Sequence, residues 1–184
     1  MKNQIRQPAD KIINYKTLSS TNSKAKDLAQ KGTDPWTVIV AEKQTGGYGR
    51  KKAAWSSPKG GLYFSVILPK SNIDDLQTLT VLAAFICAKT IKENFNLEPF
   101  IKLPNDVWIN GKKVGGILTE NIIGKDVKTS VMGIGLNTNV RKFPKDLENI
   151  ATSLKIESGK DTDNRKILKQ IIKQLREQLK TISE

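Results

Sequence analysis

KLPNDVWINGKKVGGILTE, residues 102–120, decides the architecture. At its centre stands Asn110-Gly111, flanked by VWI and by KKVGGILTE. A type I′ turn needs positive φ at both central residues, and Asn-Gly meets that need at the least steric cost, so the stretch predicts an antiparallel hairpin. Just upstream, residues 100–103 read as a short strand ended by Pro104, which fixes the turn and removes a backbone donor. Downstream, a second turn at Gly124-Lys125-Asp126 leads into VKTSVMGIGLNTN. Gly133 and Gly135 alternate there on one face, and Gly115-Gly116 lies in the arm before. Glycine weakens a strand interior and marks close approach of a ligand or another backbone, so a ligand face and a tight bend both fit.

Working outward, residues 36–42 (WTVIVAE) and 62–68 (LYFSVIL) read as β-branched strands around a glycine-rich loop, QTGGYGRKKAAWSSPKGG. Ser20 or Thr21 caps a helix running to about Lys31, with Gly32 just past its end. Asp74-Asp75 open a long helix to about Asn94, acidic residues favouring its positive end. From Asp163 or Asn164 a last helix carries Ile167, Leu168, Ile171, Ile172, Leu175 and Leu179 on one face. The expectation is one α/β (α+β) domain over residues 1–184, a mixed, largely antiparallel sheet with helices packed on it.

Composition narrows the chemistry. There is no histidine, which removes histidine-based metal sites, Ser-His-Asp or Cys-His nucleophiles and histidine general bases together. The one cysteine, Cys87, lies on the apolar side of the long helix and reads as a core residue rather than a nucleophile. A single cysteine, no apolar leader and no run long enough to cross a bilayer lead to the expectation of a cytoplasmic protein without a membrane partner. The net charge is +13, with 13 basic and 4 acidic side chains in residues 1–70, seven of each in 71–140 and 11 against 7 in 141–184. Arg50-Lys51-Lys52 sits beside Gly46, Gly47 and Gly49, a pattern that points to a small anionic ligand more than to nucleic acid.

Gly46-Gly47-Tyr48-Gly49-Arg50 joins two strands, which is not the strand–loop–helix setting of a P-loop or a dinucleotide fingerprint. Bare glycine amides can still wrap an anion there, and a plain surface loop fits equally. Lys102-Leu103-Pro104-Asn105-Asp106 gathers polar groups at a strand end and equally makes an ordinary turn. Trp55, near Arg50 and Lys52, can stack on a base or simply pack.

Taken in order, Ser19-Ser20-Thr21-Asn22, AEKQTGGYGR with AAWSSPKGGLYFS, KLPNDVWINGKKVGGILTE, GIGLNTN and Ala151-Thr152-Ser153-Leu154 resemble the catalytic domain of the biotin protein ligases, over about residues 15–179. The resemblance implies a class II synthetase-like fold, shared with lipoate ligases and octanoyltransferases, and an enzyme that makes biotinyl-5′-adenylate and passes biotin to a lysine of biotin carboxyl carrier protein. ATP and Mg²⁺ would be co-substrate and ion and biotin the substrate, with no tightly bound cofactor and no assigned metal ligands. Edge-to-edge homodimers are common in the family.

Residue by residue, the resemblance implies that Ser20, Thr21 and Gln44 hydrogen-bond the ureido ring of biotin, with Asn22 beside them. Gly47, Tyr48 and Gly49 match the ligand-wrapping loop, and Arg50 the arginine that holds the adenylate. Trp55 matches a tryptophan packed on adenine, with Asn105 on the nucleotide side. Lys102 matches the lysine between the biotin carboxylate and the α-phosphate, so Lys102 and Arg50 are the implied catalytic pair. Gly116, Gly133, Gly135 and Asn137 match the sheet surface beneath.

Tyr48 replaces the usual first arginine of the loop, and Leu103 a usual tryptophan. No winged-helix segment precedes residue 15, so nucleic acid is not an expected partner, and the small C-terminal β-barrel of many members is expected to be absent. Two rival readings stand beside this one: an enzyme of the same fold acting on lipoate or octanoate, and a non-catalytic basic module for nucleic acid or regulation.

Overall fold

The structure, a computed structural model, describes residues 11–69, 75–123 and 128–183. In chain order its elements are β1 (Ile12–Tyr15), α1 (Thr21–Gln30), β2 (Val38–Ala41), β3 (Leu62–Ile67), α2 (Leu76–Phe95), β4 (Phe100–Lys102), β5 (Asp106–Ile109), β6 (Lys112–Ile123), β7 (Lys128–Leu136), α3 (Leu154–Ser158) and α4 (Asn164–Ser183). The seven strands form one sheet in the order β1-β2-β3-β7-β6-β5-β4. Only β1 and β2 run parallel; every other neighbouring pair is antiparallel, so the expected mixed, largely antiparallel sheet is what forms.

The Asn110-Gly111 turn adopts φ of 48° and 76°, the type I′ signature its sequence predicts. The turn expected at Gly124-Lys125-Asp126 lies outside the described residues, as does Asp74. Ser20 caps α1 by accepting the Ser23 N–H, and Asp75 caps α2 by accepting those of Gln77 and Thr78. The strand expected over residues 36–42 starts at Val38 instead. Trp36 holds φ 63°, a left-handed conformation no strand residue takes, while its N–H reaches the Ile67 carbonyl at 2.7 Å. β1 and α3 have no counterpart among the expected elements. β1 is a four-residue edge strand with a single exposed position, too short for a period to show.

Alternation along the strands sorts the two sheet faces. Phe64, Val66, Met132, Ile134, Leu136 and Ile117 point to one face, where α2 (Leu79, Ile86, Ile91) and α4 (Ile171, Leu175) cover them in the main core. Fully burying each such side chain contributes about 1.5–3 kcal/mol. On the opposite face Ile39, Ile67, Ile122 and Val131 meet Ala25 and Ala29 of α1. α1 covers only that end, and beside its N-terminus the sheet face is left open. Among the described residues no helix is long and apolar enough to cross a membrane.

Candidate functional site

The open face is floored by β3, β7 and β6, where Ser65, Gly133 and Gly135 share a side with Gly116. A Cβ on Gly133 would lie 2.1 Å from Asn22 Oδ1, and one on Gly135 2.7 Å from Trp55 Nε1. Glycine is required at both positions because these side chains lie directly on the strands. A cavity of about 320 Å³ opens here, lined among others by Ser20, Thr21, Gln44, Arg50, Trp55 and Lys113.

One end is a buried polar cluster. Ser20, Thr21 and Asn22 open α1 and are each 5% exposed or less. Gln44 Oε1 accepts from the Thr21 backbone N–H (2.8 Å) and hydroxyl (3.1 Å), while its amide nitrogen donates to Ser57 Oγ at 2.8 Å. Ser65, fully buried, donates to Asn22 Oδ1 at 2.6 Å and sits 2.8 Å from Thr21 Oγ1. Asn22 spends its amide protons on the Leu118 carbonyl and on Glu120, so within the cluster it braces the others.

The other end is cationic. Arg50 donates from Nη1 to Asn105 Oδ1 at 3.1 Å. Lys113 Nζ lies 2.7 Å from Asp106 Oδ1 and 5.1 Å from the centre of the Trp55 indole. The indole rests on Gly135 and Gly116, and its Nε1 is buried without an acceptor. A polar group left so is costly unless a partner arrives.

The loop over the floor is held by Tyr48, whose hydroxyl donates to Glu120 Oε2 at 3.0 Å; Lys26 reaches the other oxygen at 2.8 Å. Burial alone would raise the Glu120 carboxyl, but hydrogen bonds from Lys26, Asn22 and Tyr48 outweigh it and hold the group below the usual carboxylate range. For Lys26 burial pulls downward, yet the bond to Glu120 leads the raising contributions and the ammonium ends above its ordinary value.

Most of the residues singled out in the sequence therefore converge: Ser20, Thr21, Asn22, Gln44, Tyr48, Gly49, Arg50, Trp55, Asn105, Gly116, Gly133 and Gly135 all line the cavity. Three do not. Gly47 sits within the loop but outside the lining, where a Cβ would meet the Trp55 carbonyl at 2.7 Å. Asn137 is buried at the end of β7, donating to the Thr152 carbonyl at 3.0 Å. Lys102 stands on edge strand β4 on the same sheet face, exposed, with its ammonium 4.5 Å from the Trp108 ring and outside the lining. Leu103 is 71% exposed and packs into no pocket.

Sequence reasoning passed over Lys113, Ser57, Ser65, Lys26 and Glu120, and left Asp106 within a polar turn without a role. Ser65 carried a signal, as the one polar residue of LYFSVIL. Lys113 did not, because a register shift between Val107 and Trp108 decides which side it takes.

The residues present offer no cage for Mg²⁺. Among the described residues no group of three or more Asp, Glu, Cys or His side chains is placed to hold a metal ion, and Asp106 in the lining is committed to Lys113.

Comparison with known proteins adds three findings. Residues 15–137 match the profile of the Biotin/lipoate A/B protein ligase family. The bifunctional ligase/repressor BirA of Bacillus subtilis is 39% identical over 166 residues, covering 88% of this chain and 51% of that protein; the chain spans about half the length of the curated relatives it matches. The biotin protein ligase of Aquifex aeolicus, solved in complex with biotin and ATP, superposes with a TM-score of 0.86 at 32% identity, covering 95% of this chain and 72% of that one. That of Leishmania major, solved with biotinyl-5-AMP, superposes with a TM-score of 0.76 at 26% identity, covering 91% and 74%.

Proposed function

The chain belongs to the biotin/lipoate A/B protein ligase family, and on that footing we propose that it joins biotin to ATP as biotinyl-5′-adenylate and transfers biotin to a lysine of a biotin carboxyl carrier protein. The observation that carries the reading is the cavity's polarity: a buried cluster of neutral hydrogen-bonding groups at one end, lysine and arginine at the other. A ureido ring and a carboxylate are the two ends of biotin, and the distribution suits both.

The chemistry needs two anions to meet. A carboxylate oxygen attacks the α-phosphorus and pyrophosphate leaves. The acceptor lysine then attacks the mixed-anhydride carbonyl, forming the amide and releasing AMP. Two unit charges ~4 Å apart oppose each other by ~4 kcal/mol at an effective dielectric near 20. In this reading the cation between them is Lys113, which faces the cavity, and the role expected at Lys102 passes to it. Arg50 and the amides of its loop hold the phosphate. Mg²⁺ comes with the nucleotide, and the protein steps run on its own side chains. We place the activity in the cytoplasm, where ATP is available and Cys87 stays reduced. A homodimer, if formed edge to edge, would use one of the sheet's two edge strands, β1 or β4, of which β4 exposes Phe100 at 49%.

A site built to hydrogen-bond a ring strongly disfavours an analogue that leaves those groups unpaired. The dithiolane of lipoate and the alkyl end of octanoate have nothing to exchange hydrogen bonds with at the polar Thr21–Gln44 end of the cavity, where a ureido ring has donors and an acceptor, which favours biotin over both. The test is biotin-dependent ATP–pyrophosphate exchange, followed by transfer of label to a carrier domain. Exchange driven by lipoate or octanoate but not biotin would replace the reading with its rival, and exchange driven by none would remove it.

A further inference from the structure

The hydrogen bonds at the polar end of the cavity run in one direction, set by groups on α1, β3 and β6. Asn22 must turn its amide nitrogen towards the Leu118 carbonyl (3.3 Å) and the Glu120 carboxylate (2.8 Å), because neither oxygen has a proton to give. Glu120 stays ionised in this role, with the Lys26 ammonium 2.8 Å from its other oxygen. Asn22 Oδ1 is thereby aimed the opposite way, at Ser65 Oγ 2.6 Å away. Gly133 pairs with Ser65 across β3 and β7, and a Cβ on it would lie 2.1 Å from that same Asn22 oxygen. The missing atom is the space in which the amide lies.

Ser65 is fully buried and outside the cavity lining, so what it does for a ligand it does through Thr21. It has one hydroxyl proton and two oxygens in reach, Asn22 Oδ1 at 2.6 Å and Thr21 Oγ1 at 2.8 Å. Only the Asn22 oxygen lacks a proton of its own, so the Ser65 proton goes there and its lone pairs face Thr21. Gln44 Oε1, 3.1 Å from the Thr21 hydroxyl, already accepts the Thr21 backbone N–H and is again an acceptor. The Thr21 proton is therefore spent inward, and what the hydroxyl offers the cavity is a lone pair.

We propose that Ser65 is a positioning residue that fixes the polarity of the site: held by Asn22, it turns the Thr21 hydroxyl so that the cavity accepts a hydrogen bond there and selects a ring N–H over an acceptor atom. The proposal deepens the reading of the cavity as a biotin site and rests on it. A cyclic urea supplies such an N–H, whereas an oxygen in its place sets two lone pairs face to face.

Titration calorimetry with biotin and its two cyclic carbamate analogues, each with one ring N–H replaced by oxygen, tests this with little change of ligand shape. On the wild-type chain one of the analogues is expected to bind about a hundredfold more weakly than biotin. Ser65→Ala removes the nearer inward acceptor and lets the Thr21 hydroxyl turn to donate. It should weaken biotin about tenfold and shrink the penalty on that analogue to about tenfold. Adding Ser65→Ala to Thr21→Val should leave the ratio of the two affinities where Thr21→Val alone puts it, because Ser65 acts through Thr21. In the exchange assay Ser65→Ala should raise the KM for biotin with kcat nearly held. Loss by the same factor for both ligands in Ser65→Ala, the mark of a merely structural residue, overturns the proposal. So does a wild type that binds both carbamates as tightly as biotin, a comparison that stands even where Ser65→Ala fails to fold. A wild type that binds no biotin removes the proposed function instead, and the Ser65 hydroxyl proton of the ligand-free chain then judges the relay. Its NMR couplings to the Ser65 β-protons should point it at Asn22, and a proton aimed at Thr21 overturns the assignment.

Discussion

The Lys113 ammonium sits 2.7 Å from the Asp106 carboxylate, on the same side of the sheet as the Gly116 and Gly135 floor. Strict alternation would not put it there. Gly116 faces the cavity, but Val114 is buried in the main core and a Cβ on Gly115 would strike Leu136. The pairing with β5 slips between Val107 and Trp108, and this irregularity returns Lys113 to the open face.

Lys113→Ala is therefore expected to cut biotin-dependent pyrophosphate exchange by at least about a hundredfold, given the ~4 kcal/mol repulsion that the ammonium offsets. Lys102→Ala, removing a cation stacked on Trp108, should stay within about threefold. Steady-state exchange on both variants, with circular dichroism to confirm the fold, decides between the two lysines. Loss at Lys102 with activity kept at Lys113 would reverse the assignment.

Gly135→Ala places a methyl 2.7 Å from Trp55 Nε1 and 2.9 Å from Cε2, so the indole must leave the floor. Overpacking of this kind costs about 1–3 kcal/mol, and denaturant midpoints should report it. Gly49→Ala is the control: its added Cβ would meet nothing nearer than the Ala53 carbonyl at 3.8 Å, and a loss under roughly 0.5 kcal/mol is expected. Equal losses in the two variants would mean that Trp55 does not rest on the floor.

These residues also show what could be read in advance. Ser20, Asp75, Asn110-Gly111 and the alternating glycines act through local chemistry (caps, positive φ, a missing Cβ), so the sequence alone placed them. Lys113 and Glu120 act through which strand lies beside which, and in what register, and that is settled by the whole sheet. For Gly47 and Asn137 motif membership implies a ligand role, and the structure shows both bonding neighbouring backbone, at Trp55 and Thr152. Motif membership located the site and left the division of labour within it open.

The Lys26–Glu120 pair sets a pH window for stability. Glu120 is held below its ordinary value of 4.5, so its contribution is complete above that pH and is lost as pH falls through the depressed value. Lys26 is held above 10.5, so its contribution is complete below that pH and is lost as pH rises through the raised value. Between the two limits the pair is pH-independent. Glu120→Gln should therefore lower stability across the plateau and flatten the fall below pH 4.5 relative to wild type, measured by urea unfolding at stepped pH. An unchanged acid slope would show that other carboxylates govern it.

Cys87 tests the absence of a thiol nucleophile. It is fully buried in α2 within the main core, and burial pushes its thiol up to about 12, leaving almost no thiolate at neutral pH. A disulfide reagent at pH 8 should leave the native chain unlabelled for as long as it stays folded and modify one thiol on denaturation. Labelling should then track the global unfolding rate, and pretreatment with the reagent under native conditions should leave exchange activity intact. Fast labelling with loss of activity would place a reactive cysteine where the packing puts a small apolar side chain, and the histidine-free, lysine-and-arginine chemistry assigned to the cavity would have to share its work with a thiolate.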